Sequence, residues 1–371
     1  MNRAAVLYAL ASAALFGAST PAAKVLLGSV DPAVLAGLLY CGAGVGIAAI
    51  RRTMPSIVSG APEVSLGRSE LPWLAGAIAA GGVIGPLLLM AGLARTDAAA
   101  ASLLLTFEGA ATALLAWFLF HENVDRRVAL GMACLVAGAA LLSWTGAPTM
   151  NGIAGPLAIV GACIAWGLDN NLTRKISLSD PLQIVELKGL IAGPFNLALG
   201  LLAGAALPGL SAALVAGIVG FLGYGVSLAL FVLALRHLGT ARTGAYFSTA
   251  PFIGSIAAVL ALGEPVTTQL AVAGMLMAIG VWLHLTERHE HDHVHEAMAH
   301  THPHVHDEHH RHAHSPRDPA GEPHTHYHRH VPMRHSHPHV PDMHHTHRHE
   351  RGGWLSFFKP NKRQRHDDER T

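Results

Sequence analysis

GLARTDAAAASLLLTFEGAATALLAWFLFHE, residues 92–122, and ALRHLGTARTGAYFSTAPFIGSIAAVLALGE, residues 234–264, share one plan at an offset of 142 positions. Each runs from a short polar start through a long apolar stretch to a terminal acid, Glu122 in one and Glu264 in the other. A second correspondence lies elsewhere in the chain. LFGASTPAAKVLL (residues 15–27) and AWGLDNNLTRKIS (residues 165–177) align Phe16-Gly17 with Trp166-Gly167 and Lys24 with Arg174, at an offset of 150. The front of the chain is therefore written twice, and the number of helices in each copy decides the fold.

A bilayer core takes about 20 consecutive apolar residues per spanning helix. Runs of that kind fall at 4–26, 33–50, 71–94, 97–120, 126–144, 153–172, 180–203, 209–235, 240–261 and 267–286, which is ten spans, five in each copy. An odd number per copy sends the second through the membrane in the opposite sense, the inverted-repeat plan of secondary transporters, whose sites lie near midplane between the halves. The first run, with Arg3 ahead of a short apolar stretch and small residues, could pass for a secretory signal. Its counterpart deep in the chain marks it instead as a retained helix. The expectation is an all-α polytopic membrane protein: repeats over 1–145 and 152–286, then a tail over 287–371.

Composition agrees. Hydrophobic residues make up 51% of the chain and charged residues 13%, and 24 of the 27 histidines follow residue 287, so the front is greasier than the average. A net charge of +1, with no basic groove carrying interleaved aromatics, excludes a nucleic-acid partner. Cys41, Cys134 and Cys163 lie singly in apolar runs without metal-ligand spacing and read as small packing residues. No Ser-His-Asp set, zinc-protease helix or phosphate-cradling glycine loop occurs, so the chain is not expected to be an enzyme.

Orientation follows from lysine and arginine in the short loops. With the amino terminus inside, the inner side holds Arg3, Arg51, Arg52, Arg68, Arg126, Arg127, Arg174, Lys175, Arg236 and Arg242, and the outer side only Lys24 and Arg95. Both termini, and the tail with them, are then expected in the cytoplasm, with the spans in the cell membrane.

FGASTPAAKVLL near the start, the helices ending WFLFHE and VLALGE, and the apolar helix after each resemble the EamA-type branch of the drug/metabolite transporter superfamily, over nearly all of residues 1–286 and twice over. The resemblance implies two EamA-like five-helix repeats forming a carrier without covalent chemistry or a transport cofactor. Such carriers move small metabolites, often outward, coupled to an ion gradient or by exchange. The family pattern places a proline 13 residues before the terminal Glu; Pro251 fits Glu264, whereas Gly109, directly after Glu108, takes that place in the first repeat. A monomer or a homodimer among membrane lipids is expected.

Charges inside a bilayer cost about 2.5–3.5 kcal/mol each on insertion scales, which makes them candidates for substrate contact. Glu108 stands halfway along the fourth span and must be protonated, paired with Lys188, or hydrated in a cavity. Glu186 and Lys188 enter the seventh span, and Glu186 has a competing reading as partner to a loop arginine. Asp169, Asn170 and Asn171 lie toward the inner end of the sixth span. Tyr224, Tyr246, Ser248 and Thr249 complete the polar candidates, Tyr246 to Thr249 preceding Pro251. The expected substrate-binding set is Glu108, Glu186, Lys188, Asn170, Tyr224, Tyr246 and Thr249. Lys24, Asp169 and Arg174 read equally as side chains snorkelling at helix ends.

The tail is a different material. HEHDHVH, HTHPHVHDEHHRHAH and MRHSHPHVPDMHHTHRH put histidine at nearly every second position, broken by prolines and with no apolar periodicity, so the tail is expected to be disordered without ligand. Imidazole suits Zn²⁺, Ni²⁺, Co²⁺ or Cu²⁺. The candidate ligands are His289, His291, His293, His295, His300, His302, His304, His306, His309, His310, His312, His314, His335, His337, His339, His344, His345, His347 and His349, forming many similar sites rather than one defined centre. A pH-responsive polycation and a tract with no selected task are the bland readings. GGWLSFFKPNKRQR beyond it suits a membrane interface or a plain solvated end.

The function read from all this is a secondary carrier of a small metabolite, in the export direction, with a metal-binding regulatory or buffering tail. One alternative makes the divalent metal ion itself the cargo. Another makes the protein a metal or pH receptor.

Overall fold

The computed structural model describes residues 3–53, 65–120, 126–144, 150–176, 179–238 and 240–286, and in the tail 289–295, 298–304, 324–330 and 333–339. Among the described residues of the front part the chain forms ten helical segments, one for each expected span. They are α1 (Arg3–Leu26), α2 (Pro32–Thr53), α3 (Leu71–Ala77, Ile78–Ile84, Gly85–Leu93), α4 (Ala98–Leu104 and Phe107–Phe120) and α5 (Arg126–Ser143). The second five are α6 (Met150–Arg174), α7 (Pro181–Leu202), α8 (Leu210–Gly220, Phe221–Val226, Ser227–Leu238), α9 (Thr240–Phe247 and Ala250–Leu262) and α10 (Thr268–Leu285). Helices α1, α2, α3, α6, α7 and α8 are each long and apolar enough to cross a bilayer, and the other four contribute shorter apolar stretches.

Local chemistry sets the ends. Asp31 and Asp180 stand just before Pro32 and Pro181, the first residues of α2 and α7. The Asp31 carboxylate accepts from the Ala33 amide at 2.8 Å, and that of Asp180 accepts from the Leu182 and Gln183 amides at 2.9 and 3.2 Å. Each satisfies amides that a helix start leaves without partners, and proline at the first position removes one more.

The irregularities recur in both halves. The middle of α3 (Ile78–Ile84) and the middle of α8 (Phe221–Val226) are wound as π-helix, 221 − 78 = 143 positions apart. α4 is broken at Leu105-Thr106 and α9 at Ser248-Thr249, again 248 − 105 = 143 apart. Packing recurs too: α1 lies on α8 and α9, α6 on α3 and α4, α2 on α7, and α5 on α10. Exchanging each helix with the one five places on returns the same set of pairs, so the two repeats are related by a two-fold operation.

The α2–α7 pair shows why the operation inverts. Gly37 packs on Gly193 and Leu197, and Gly44 on Gly189 and Leu190, so one helix ascends as the other descends. At the crossing a Cβ on Gly44 would sit 3.0 Å from the Gly189 Cα, and one on Gly189 would sit 2.5 Å from the Gly44 Cα, so each position requires glycine. Backbones in contact gain dispersion and loss of lipid-exposed surface, which replace the hydrophobic drive that a membrane does not supply. In α5–α10, Gly138 faces Ala273 and Met277 while Gly280 faces Gly131 and Leu135, the same contacts with the halves exchanged at an offset of 142. Large apolar side chains such as Leu202, Leu210, Leu260 and Trp282 point outward from the bundle, as a lipid-facing surface requires.

Four segments of the tail are described, as two strand pairs. β1 (His289–His295) pairs antiparallel with β4 (Met333–His339), and β2 (Met298–His304) with β3 (His324–His330). Alternation at period two, which carries no core-forming signal, is still the periodicity of an extended strand.

Candidate substrate site

Pro86 sits in the last part of α3, and having no amide hydrogen it cannot bond the carbonyl four residues back. The helix widens there: the Gly85 amide bonds Ala80 O, five residues back. The carbonyls left over are taken by side chains from three other helices. Tyr40 of α2 and Trp166 of α6 both donate to Gly81 O, from Oη at 2.7 Å and Nε1 at 3.0 Å. Asn196 of α7 donates to Gly82 O at 2.8 Å. The π turn thus draws α2, α6 and α7 to one level of the bundle, and the Asp169 carboxylate packs against the Gly81 Cα, space that any side chain would fill.

Two polar groups meet beside it. In the first, Lys188 Nζ of α7 contacts Asp169 Oδ1 of α6 at 2.5 Å and donates to Thr173 Oγ1 at 3.0 Å, while the Thr173 hydroxyl donates to Asp169 Oδ1 at 2.8 Å. Both charged side chains are largely enclosed, 16% and 12% exposed. In the second, Asn170 Nδ2 of α6 donates to Glu108 Oε1 of α4 at 2.9 Å and to Thr112 Oγ1 at 3.2 Å. The neighbouring Asn171 amide donates to Thr112 O at 3.1 Å. Glu108 lies in the first turn after the α4 break, where amides not used by the helix carry partial positive charge. This second group joins α4 of the first half to α6 of the second.

Nearer the end where α2 finishes and α7 begins, Arg51 bridges Asp180, at 2.7 Å, and Glu186, with Arg52 3.8 Å from the other Glu186 oxygen. From Tyr40 a chain of aromatic rings runs across to α8, α1 and α9. Tyr224, on the π turn of α8, lies 5.8 Å between ring centroids from both Tyr40 and Phe16. Phe247 follows at 5.4 Å from Phe16, and Phe231 at 5.0 Å from Phe247.

The chain matches the EamA-like transporter family over residues 3–144 and again over 153–286. It belongs to that family. A relative from Methanothermobacter thermautotrophicus, described as an uncharacterized transporter, is 28% identical over 282 residues, covering 72% of this chain and 82% of the relative. A solved structure titled only as the crystal structure of a protein has the same fold, with a TM-score of 0.53 at 21% identity over 76% of this chain and 96% of that one. Membership of the EamA family makes the chain a multi-pass membrane transporter and not an enzyme.

Within this EamA bundle the residues singled out from sequence separate into three places. Glu108 and Asn170 touch each other, and Lys188 pairs with Asp169 instead of with Glu108. The choice of partner has a steric cause: Asp169 and Thr173 stand one helical turn apart on α6 and together face Lys188. Asp169 is therefore 8% exposed and paired, not snorkelling. Lys24 instead spans a helix end, donating to Leu93 O and Thr96 O at 2.7 and 2.8 Å. Glu186 takes its arginine reading. Tyr224 joins the ring cluster, while Tyr246 packs against the small cluster of Ala5, Ala9 and Ala234, and the Thr249 hydroxyl closes the α9 break on Tyr246 O at 2.6 Å. Tyr40, Thr112, Trp166, Thr173 and Asn196 were not among the expected site residues. Pro86 after a Gly-Gly pair was the available signal, because it forecasts orphan carbonyls that only side chains of other helices can satisfy. The histidine ligands beyond residue 304, except those in β3 and β4, lie outside the described residues, and of the tail only backbone pairing is described.

Proposed function

We propose that this EamA-family protein is a secondary carrier that exports a small organic solute across the cytoplasmic membrane, with both termini inside, and that the solute binds where α4 meets α6. One observation carries the reading: a carboxylate at the midspan break of α4, Glu108, accepts from Asn170 of α6 across the junction of the two halves, and the same amide donates to Thr112 one turn further along α4. Groups at such a junction change their exposure when one half rocks against the other, which is what alternating access requires. Lys188 with Asp169 lies beside them, Tyr224 supplies an apolar wall, and Glu186 with Arg51 lies toward the cytoplasmic end. Tyr246 and Thr249 act at the α9 break rather than on the solute. The test is flux in proteoliposomes over a panel of organic solutes, with divalent Ni²⁺, Co²⁺ and Zn²⁺ in parallel. Solute flux supports a metabolite carrier, metal flux a metal carrier, and no flux a receptor.

The tail reads as a cytoplasmic metal buffer or regulator. Its support is the strand register, which sets His289, His291 and His293 opposite His339, His337 and His335, and His300, His302 and His304 opposite His328, His326 and His324.

A further inference from the structure

The two π turns occupy matching places in the two halves but are not held alike. In α3, Pro86 has no amide hydrogen to give the Gly82 carbonyl, so an α-helical bond cannot close there. The carbonyls of Gly81 and Gly82 take hydrogens instead from Tyr40, Trp166 and Asn196, on three other helices. α8 has no proline between Phe221 and Leu238. Its π turn closes with the Ser227 amide on Leu222 O. Leu228 and Ala229, which answer to Pro86 at offsets of 142 and 143, both carry the amide hydrogen that an α bond needs.

The side-chain donors are not repeated either. α7 follows α2 at an offset of 181 − 32 = 149, and α6 follows α1 at 166 − 16 = 150. The counterparts of Tyr40, Asn196 and Trp166 are therefore Gly189, Ile47 and Phe16, whose side chains carry no hydrogen-bond donor. The packing agrees with this correspondence. A Cβ on Gly82 would meet Ala192, one on Gly225 would meet Ala43 and Ile47, and 192 − 43 and 196 − 47 both equal 149. Where Asn196 donates to Gly82 O at 2.8 Å, Ile47 thus offers only carbon, 3.4 Å from the place of a Gly225 Cβ. Just beyond the turn, Ser227 O accepts from Ser12 Oγ at 2.7 Å and the Ser227 hydroxyl donates to Ser12 O at 2.9 Å, which ties α1 to the last piece of α8 (Ser227–Leu238).

Rewinding the α3 turn would strip buried donors on three helices of their acceptors, and Pro86 would still leave a carbonyl without its α bond. Rewinding the α8 turn exchanges one set of backbone bonds for another. Resting on the carrier function proposed above, we propose that the π turn of α3 is a fixed fulcrum and that of α8 is the hinge, at which Ser227–Leu238 changes its angle to Leu210–Gly220 and takes α1 with it as the halves rock. Tyr40, Trp166 and Asn196 are then positioning residues, because they hold still the helix against which Asp169 packs.

The experiment uses the full chain in lipid nanodiscs, without solute. Hydrogen exchange read by mass spectrometry, corrected for intrinsic rates, should be faster over 221–229 than over 78–86 by at least about fivefold, the factor that one side-chain hydrogen bond of ordinary worth supplies. Ile47→Asn places an amide against Gly225 and should slow exchange over 221–229 while leaving 78–86 unchanged. Asn196→Ile should speed exchange over 78–86; should it not fold, Tyr40→Phe keeps the ring and removes one donor. The swing is read from paired spin labels after Cys41, Cys134 and Cys163 are changed to Ala. Leu7 with Leu214 spans the α8 hinge, and Leu157 with Leu71 is its counterpart across the α3 turn, at 157 − 7 = 150 and 214 − 71 = 143; all four side chains face outward. The first pair should give two distances or one broad distribution that Ile47→Asn narrows, and the second a single narrow distance. Equal or reversed exchange at the two turns, or a Leu7–Leu214 distribution no broader than that of Leu157–Leu71, would overturn the hinge assignment and leave the carrier reading standing. Absence of flux for every solute in the panel described above would remove the carrier reading and, with it, the transport role of the hinge.

Discussion

Removing Lys188 tests the energetics of the polar cluster most directly. Its ammonium contacts Asp169 Oδ1 at 2.5 Å and the Thr173 hydroxyl at 3.0 Å, with the two charged side chains 16% and 12% exposed. At an effective dielectric of about 20 the attraction is roughly 4 kcal/mol or more, but desolvating both ions offsets much of it. The net value of the pair is therefore small, whereas stranding one member is expensive, about 3–5 kcal/mol when a buried partner is deleted. Partial exposure favours the lower figure, about 3 kcal/mol for Lys188→Met and the same for Asp169→Asn. At about 2 °C per kcal/mol for a bundle of this size, each single variant should unfold about 6 °C below the wild type in detergent, followed by tryptophan fluorescence. The double variant leaves no stranded charge and should unfold within about 2 °C of the wild type. A double variant that loses the full sum of the two single losses would show that the side chains act independently and that the contact is not an energetic pair.

Four further outcomes follow from named contacts. Gly44→Leu drives a side chain into the Gly189 backbone and should abolish recovery of folded protein, whereas Gly109→Ala, whose Cβ meets nothing within 4 Å, should be neutral or raise stability by up to about 1 kcal/mol; size-exclusion elution and melting distinguish them. Glu264 accepts from the Ala98 and Ala99 amides, each at 2.7 Å, so Glu264→Ala should cost about 1–2 kcal/mol, a fall of about 2–4 °C in Tm. A reporter fused after Thr286 should read as cytoplasmic and one inserted near Pro148 as external; exchanged signals at both would reverse the orientation. Isothermal titration with Ni²⁺ at pH 7.5 should find several ions on the full chain and none after truncation at Thr286. Because imidazole must be neutral to bind, that affinity should fall as pH drops through about 6.5.

The helices were legible because the membrane imposes one rule on all of them: about 20 apolar residues and every backbone group bonded within the segment. The 142-residue echo between Glu122 and Glu264 added the pairing of the halves, which no single hydropathy run contains. The breaks were half legible. Pro251 marks the interruption of α9, but that of α4 has no proline, and Gly109 lies inside the second helical piece instead of at the break. The site was legible as a set of residue types and not as a set of partners. Which cation faces which acid depends on helix rotation, and an apolar stretch buried on every side leaves rotation unmarked. Asp169 illustrates this: five residues from the end of α6 it has the address of a snorkelling side chain, and only its position against Gly81 turns it toward Lys188.

The departures from symmetry carry the functional information. Gly81 against Asp169 has its counterpart in Gly223 against Ser19, and Glu108 corresponds at the repeat offset to Ala250. Two identical inverted halves would give two access states of equal energy, each the other viewed from the opposite side of the membrane. Here the end where α2 finishes and α7 begins is held by Arg51 with Asp180 and Glu186, while toward the other end the same two helices meet through Gly37 on Gly193 and Leu197, so opening one end separates ion pairs and opening the other does not. The two states are unequal by the difference between those costs. A carrier must cycle through both, so the free energy that levels them has to come from what occupies the junction between the halves. Glu108 is the group there whose charge state can change without stranding a partner, because its side-chain contact is with a neutral amide. Its occupancy is accordingly the variable that biases the equilibrium between the two openings.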